Sequence, residues 1–382
     1  QEGCKLYNLE DKCVKEAATG RRARKFAEIL SQGHEVTVLV PDLNYPGESY
    51  IDISKIHYKI KAYKFTECQW QYSEELFTEL CNYDVVIIQS TSGAGFLTVS
   101  TLDKRIQVIL DGWVPLLAEY PAALSYHLTA DKKNLWRTLK FHYEALLFRA
   151  DVILYANDRQ KYYYEGQLFA YNKLDCENFK TSKLLKVPYG VDIHPIIKRT
   201  KSPKLRLLWY GPVYPWYDHK TLIKELKNHP DIELDFFGVR HPRYTQYFNK
   251  EFDTKEIESS TNMKILGNFS TEDPSELLSN YDFCILFSQP WLENTYCHRS
   301  RFYEMLSYGM PLIVNNHPPI LEECDLDAEG AFVFNLQTEN IKKELDLIQR
   351  NKDTLIICDT DFCRFQLVSS WSLCLESLID YI

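Results

Sequence analysis

RRARKFAEILSQGHEVTVLVPD, residues 21–42, contains the repeating unit from which the rest of the chain is read. Ala23, Phe26, Ala27 and Leu30 fall at i, i+3, i+4 and i+7, one face of a helix. Gly33 stands where a left-handed C-cap is expected, and Glu35–Val40 reads as a buried strand that Pro41 stops. The same alternation continues outward. Strands are expected at Asp84–Gln89, Ile106–Leu110 and Asp151–Tyr155, with helices over Lys132–Arg149 and Asp158–Phe169. Short β-branched runs between amphipathic stretches indicate a parallel sheet with crossover helices. At the start of the chain, Lys5–Asn8 offers a short, polar opening strand.

At 189–204 the character changes to YGVDIHPIIKRTKSPK, a polar, proline-bearing stretch that suits a linker. A second series of strands follows: Leu205–Tyr210, Glu233–Phe237, Met263–Leu266, Phe283–Phe287, Pro311–Val314 and Ala331–Phe334. The expected fold is α/β, two Rossmann-like doubly wound domains facing a central cleft. The expected boundaries are 1–190 for an acceptor-side domain, 191–204 for the linker, 205–361 for a donor domain and 362–382 for a C-terminal helix.

Composition narrows the classes. A length of 382 residues fits two domains, and 45% apolar with 25% charged residues is the mix of a chain that buries a core. The net charge of −9 argues against non-specific nucleic-acid binding. No run of about 18 apolar residues could span a membrane, and QEGCKLYNLEDK at the N-terminus lacks an apolar signal core. The 11 cysteines are scattered singly, an odd number that reads as reduced thiols of a cytoplasmic protein. The sequon at Asn268 is therefore expected to stay unglycosylated. Oligomeric state is not legible.

Several chemistries have no motif here. There is no G-x-G-x-x-G, the nearest being Ser92-Gly93-Ala94-Gly95, and no P-loop, HExxH or cysteine-pair metal framework. The most informative stretch is FSQPWLENTYCHRSRFYEMLSYGMPLIVNN, residues 287–316. A strand ends near Ser288, a loop carries Glu293, His298 and Arg299, and a helix begins at Arg299–Ser300 and stops at Gly309. A helix start bearing Arg299, Ser300 and Arg301 offers backbone N–H groups and two guanidiniums to an anion. Glu304, one turn further in, could accept two hydroxyl hydrogen bonds from a ribose. The plain alternative is a surface helix with Arg301 and Glu304 as a solvated ion pair.

In order and spacing, these segments resemble the family-4 glycosyltransferases of the GT-B fold, over roughly residues 13–350. RRARKFAEILSQGHEVTVLVPD resembles the family's first helix and second strand. ADVILYANDRQKYYYEG resembles a strand and helix late in the N-domain, and VPYGVDIHP the turn into the linker. LLWYGPVYPWYDHKTLIKEL resembles the opening of the donor domain, and RSRFYEMLSYGMPLIV the segment closing the donor site. LENTYCHRSRFYEM parallels a bacterial-type variant, L-E-T-x-x-x-x-R-T-R-V-L-D-Y.

The resemblance implies transfer of a sugar from a nucleotide-sugar donor to a glycan or lipid-linked acceptor in polysaccharide or glycoconjugate assembly. It implies retention at the anomeric carbon, no cofactor and no metal. Glu304 maps onto the glutamate that holds the donor ribose. The first family glutamate would fall at Tyr296, and Glu293 is its stand-in. The arginine and lysine that usually hold the donor diphosphate fall at Pro212 and Tyr217, so Arg299 and Arg301 are expected to meet that charge, with Lys220 as a lesser alternative.

Further positions follow. Gly20 is expected just before the first helix, close to the donor phosphates, or as a helix-start glycine without function. Asp111, at a strand's carboxyl end, is expected to touch acceptor or sugar, or to cap the next segment. Arg159 and Gln160 open a helix at another strand end. Gly211, Gly238 with Arg240 and His241, and Gly267 with Asn268 and Phe269 follow donor-domain strands, and His298 joins the donor-binding set. The expected catalytic set is Glu293, Arg301 and Asp111. A catalytically inert GT-B binder, or a GT-B epimerase or hydrolase, stands as the alternative.

Overall fold

The structure is a computed structural model that describes residues 18–42, 56–64, 71–91, 95–125, 129–175, 177, 184–239, 252, 254–267, 274–315, 319, 333–337, 340–353, 355 and 359–382. The expected opening strand at Lys5–Asn8, Ser92–Ala94, the sequon, Arg240, His241 and Phe269 lie outside these residues. The chain divides into two compact units: Gln1–Gly190 with Tyr296–His298 and Trp371–Ile382, and Val191–Thr295 with Arg299–Ser370.

In the first unit, helix α1 (Ala18–Leu30) leads into strand β1 (Thr37–Asp42), which pairs in parallel with β2 (Lys59–Lys64). A four-stranded parallel sheet runs β3 (Val85–Gln89), β4 (Gln107–Asp111), β5 (Val152–Tyr155), β6 (Leu184–Lys186). Helices α2 (Glu74–Leu80), α3 (Phe96–Ser100), α4 (Leu116–Ser125), α5 (Ala130–Arg149) and α6 (Asp158–Ala170) connect them. Successive strand residues face opposite sides. Val108, Leu110 and Ile153 join a core built with α2, α3 and α5, while Ile109, Val152 and Leu154 join Phe26 and Leu30 of α1. That two-sided burial is why the strand interiors read as unbroken apolar runs.

Two local expectations change. β1 runs through Pro41 to Asp42. Among the described residues β2 is its partner, so the missing proline N–H faces the unpaired side. Gly33 is not left-handed; α1 ends instead in a tightened turn, with Gln32 N–H on Ile29 C=O at 3.2 Å and Gly33 N–H on Leu30 C=O at 3.1 Å.

In the second unit, β7 (Leu205–Tyr210), β8 (Ile232–Phe237), β9 (Met263–Ile265), β10 (Phe283–Leu286), β11 (Leu312–Val314) and β12 (Val333–Asn335) form a parallel sheet in the order β12-β11-β10-β7-β8-β9. The chain starts at β7, winds out to β9, then returns to the other side of β7 at β10. A crevice opens at such a reversal, beyond the carboxyl ends of the two central strands. Around the sheet lie α7 (His219–Leu226), α8 (Thr254–Glu258), α9 (Ser275–Leu278), α10 (Leu292–Tyr296), α11 (Ser300–Ser307), α12 (Ile341–Asn351) and α13 (Asp359–Val368).

The expected linker is fastened to this unit. Ile197 N–H meets Tyr308 C=O at 3.1 Å and Thr200 N–H meets Ser279 C=O at 2.9 Å. Arg199 Nη1 donates to Asp282 C=O at 2.8 Å. The single terminal helix expected over 362–382 is two helices, α13 and α14 (Trp371–Ile379), broken where Ser370 bridges to Val191. Leu375 and Leu378 of α14 pack into the first unit's α1 core. Among the described residues, no helix is long and apolar enough to cross a membrane.

Candidate functional site

The second unit's candidate site lies at its sheet reversal. After β7 the chain turns at Gly211 with φ +107°, a conformation that L side chains rarely adopt. A Cβ there would lie 2.6 Å from the Arg301 guanidinium. Gly211 N–H donates to Phe237 C=O at 2.8 Å and its C=O accepts from the Trp209 indole at 3.0 Å, so the turn is held from both sides.

The following loop supplies Pro212 and Tyr217. Arg301 Nη2 donates to the Pro212 carbonyl at 3.1 Å. Its guanidinium carbon lies 5.1 Å from the centre of the Tyr217 ring, and that of Arg299 lies 4.7 Å from the same centre. An electron-rich ring face attracts each cation by about 0.5–2 kcal/mol. Arg299 Nη2 donates to Glu293 Oε2 at 2.8 Å and Asn294 Oδ1 at 3.3 Å. Both members of this ion pair are buried, Glu293 at 2% exposure and Arg299 at 6%. Among the described residues, buried Arg301 Nη1 has no hydrogen-bond partner. Pro212 and Tyr217, which cannot neutralise phosphate themselves, thus hold two guanidiniums supplied by the start of α11.

Helix α11 ends in a left-handed Gly309 (φ +73°), with Met310 N–H on Met305 C=O at 3.1 Å, the six-to-one bond of a Schellman cap. Ser300 occupies its first turn and Glu304 its second. Burial pushes the thiol of Cys284 on β10 well up, while the Arg301 charge lowers it and the Glu304 charge raises it. Gly238 is left-handed at φ +66° and its N–H is taken by Gly267 C=O at 3.1 Å. Gly267 is exposed, with open space where a Cβ would stand. Lys220 is exposed on α7.

Three expected site residues lie in the first unit. Asp111 does not present its carboxylate to a ligand: it is fully buried and paired with the equally buried Arg22. Arg22 Nε reaches Asp111 Oδ2 at 2.9 Å and Nη2 reaches Oδ1 at 2.8 Å, while Nη1 donates to Pro188 C=O at 2.7 Å. The expectation of acceptor contact is corrected accordingly; a carboxylate at a strand end was met by an arginine from α1. Gly20 is buried inside the first turn of α1 rather than before it. His298 accepts the Tyr189 N–H on Nε2 at 3.3 Å.

Gln160 and its neighbour Asn157 are structural. The Tyr296 carbonyl accepts from Gln160 Nε2 at 2.9 Å and from Asn157 Nδ2 at 3.3 Å, and Gln160 also donates to Trp113 C=O at 2.8 Å. Arg159 is half-buried beside them. Among the described residues no group of three or more His, Cys, Asp or Glu could hold a metal ion.

No protein-family model and no curated protein sequence matches the chain. Solved structures do. Sucrose-phosphate synthase from Thermosynechococcus elongatus superposes with a TM-score of 0.68 at 13% identity, over 96% of this chain and 92% of that one. HepE from Anabaena, in complex with UDP and glucose, gives 0.63 at 12% identity over 94% and 95%. WaaG, a glycosyltransferase involved in lipopolysaccharide biosynthesis, gives 0.55 at 13% over 96% of each chain. The fold is that of the GT-B glycosyltransferases. At these identities the likeness carries the architecture, and the chemistry has to be argued from the residues.

Proposed function

We propose that this chain is a family-4-like glycosyltransferase moving a sugar from a nucleotide-sugar donor to a glycan or lipid-linked acceptor with retention and without a metal. The observation that carries the reading is the pair of guanidiniums, Arg299 and Arg301, gathered on one tyrosine ring at the sheet reversal. Breaking the bond between the anomeric carbon and the diphosphate oxygen leaves charge on the β-phosphate. Donors fixed in advance stabilise it without reorganising at the moment of reaction. Arg301 supplies the charge, Arg299 is held in line by Glu293, and Glu304 takes the ribose hydroxyls. The acceptor oxygen attacks the anomeric carbon from the face the phosphate leaves, and its proton passes to the departing phosphate oxygen. No protein nucleophile takes part. Cytoplasmic action, including on an acceptor presented at a membrane surface, and a role in polysaccharide assembly belong to the same proposal.

The test is nucleotide release from UDP-, GDP-, ADP- and dTDP-sugars, beginning with UDP-glucose, which a structural neighbour binds. Slow hydrolysis of one donor, lost in Glu304→Ala and Arg301→Ala, supports the reading. Tight binding without turnover, even with acceptor mixtures, favours the inert binder; loss of the usual arginine and lysine at Pro212 and Tyr217 is the observation on that side.

A further inference from the structure

The carboxyl end of β10 carries a buried polar side chain. Ser288 is 4% exposed. Its N–H donates to Asn315 Oδ1 at 2.6 Å and its C=O accepts from Asn315 Nδ2 at 3.0 Å. One side-chain amide, placed at the end of the neighbouring β11, therefore takes up both backbone groups of Ser288. The hydroxyl is buried and, among the described residues, has no hydrogen-bond partner. An unsatisfied buried hydroxyl costs stability, and in a folded protein it calls for an explanation such as a ligand.

The direction of that hydroxyl follows from its pairing. Ser288 and Tyr217 form an antiparallel bridge. Asp218 N–H on Phe287 C=O and Gln289 N–H on Trp216 C=O, both 2.8 Å, flank the pair. Residues 217 and 288 are thus a non-hydrogen-bonded pair, whose side chains share one face with Cβ atoms about 4.5–5.5 Å apart. The Tyr217 ring is the support of Arg299 and Arg301. A second buried donor without a partner, Arg301 Nη1, belongs to the same cluster.

We propose that the Ser288 hydroxyl is a further donor of the anion site, hydrogen-bonding a phosphoryl oxygen of a nucleoside diphosphate beside Arg301. The inference rests on the donor-binding reading and adds a residue to it. An oxyanion satisfies both orphaned donors at once, and the Asn315 clamp keeps the hydroxyl from turning aside with its backbone.

The experiment is calorimetric titration of the full chain and of Ser288→Ala with UDP, GDP, ADP and dTDP, and with the matching phosphate-free nucleosides, alongside thermal unfolding. The expected result is diphosphate affinity about tenfold weaker in Ser288→Ala. Nucleoside affinity stays unchanged and the unfolding midpoint does not fall, because the substitution removes an unsatisfied group. Equal diphosphate affinity in the two proteins overturns the role of Ser288 and leaves the donor-binding reading standing. A lowered midpoint in Ser288→Ala makes the hydroxyl structural and overturns the role as well. A wild-type chain that binds none of the four diphosphates overturns both.

Discussion

The volume that a side chain on Gly211 would fill is occupied by the guanidinium of Arg301, 2.6 Å from the ideal Cβ position. The glycine is required twice over, by that contact and by φ +107°. Gly211→Ala is expected to cost about 1–2 kcal/mol in backbone strain. It should also push Arg301 off the Tyr217 ring and weaken nucleoside diphosphate binding about tenfold. Thermal unfolding and titration with UDP read the two effects separately. An unchanged affinity would detach Arg301 from anion binding.

Arg22 and Asp111 offer a different test, because their pair is closed to solvent. Asp111→Asn or Arg22→Met leaves one buried charge unmatched, at a cost of about 3–5 kcal/mol, whereas an apolar double replacement recovers much of it. Urea unfolding of the two single variants and of Arg22→Met/Asp111→Leu checks this. If Asp111→Asn keeps full stability but loses acceptor-dependent turnover, the carboxylate is catalytic after all.

Gln160 is fully buried and serves three groups: it accepts Ala156 N–H at 2.8 Å and donates to the carbonyls of Trp113 and Tyr296. Gln160→Met should cost about 2 kcal/mol or more, since each abandoned partner keeps its desolvation penalty. Chemical unfolding measures it. A loss under 0.5 kcal/mol, the usual range for an unremarkable surface change, would mean that the amide is not holding Tyr296.

Acid stability should depend on Asp151. Burial raises its carboxyl, but the Val108 N–H and the Arg149 guanidinium, each at 2.9 Å, outweigh that and hold it below its ordinary value. A carboxyl depressed in the folded state adds stability above its unfolded value, and that stability is lost as pH falls through the folded one. Below about pH 4 the folded protein should therefore lose stability more steeply than Asp151→Asn, which starts less stable at neutral pH because it lacks the ion pair with Arg149. Parallel acid limbs in the two proteins would remove Asp151 from the balance.

Legibility in the sequence tracked burial. β7 was legible residue for residue, and β10 to within one residue, because strands covered on both faces are apolar over nearly their whole length, Arg206 near the start of β7 being the exception. β2, KIKAYK, has too few apolar residues to announce itself, and its evidence is its pairing with β1. The short helices α3 and α10 carry too little periodicity to be read. At the site, Glu293, Arg299 and Arg301 stand within nine residues and can be seen together. Ser288 with Asn315, and Arg22 with Asp111, are 27 and 89 positions apart, and no spacing rule connects them.

The amino-acid sequence by itself determined the α/β class, the succession of strands and helices, and the charged helix start at Arg299–Arg301. These follow from local periodicity and from which residues water excludes. Tertiary structure alone decided which charges meet. It turned Asp111 inward onto Arg22, and it set Tyr217 against two arginines from a helix more than eighty residues away. It also left the Ser288 hydroxyl without a partner among the described residues. Pairings of that kind depend on strand order and on the closing of long loops, quantities that no local pattern of residues encodes.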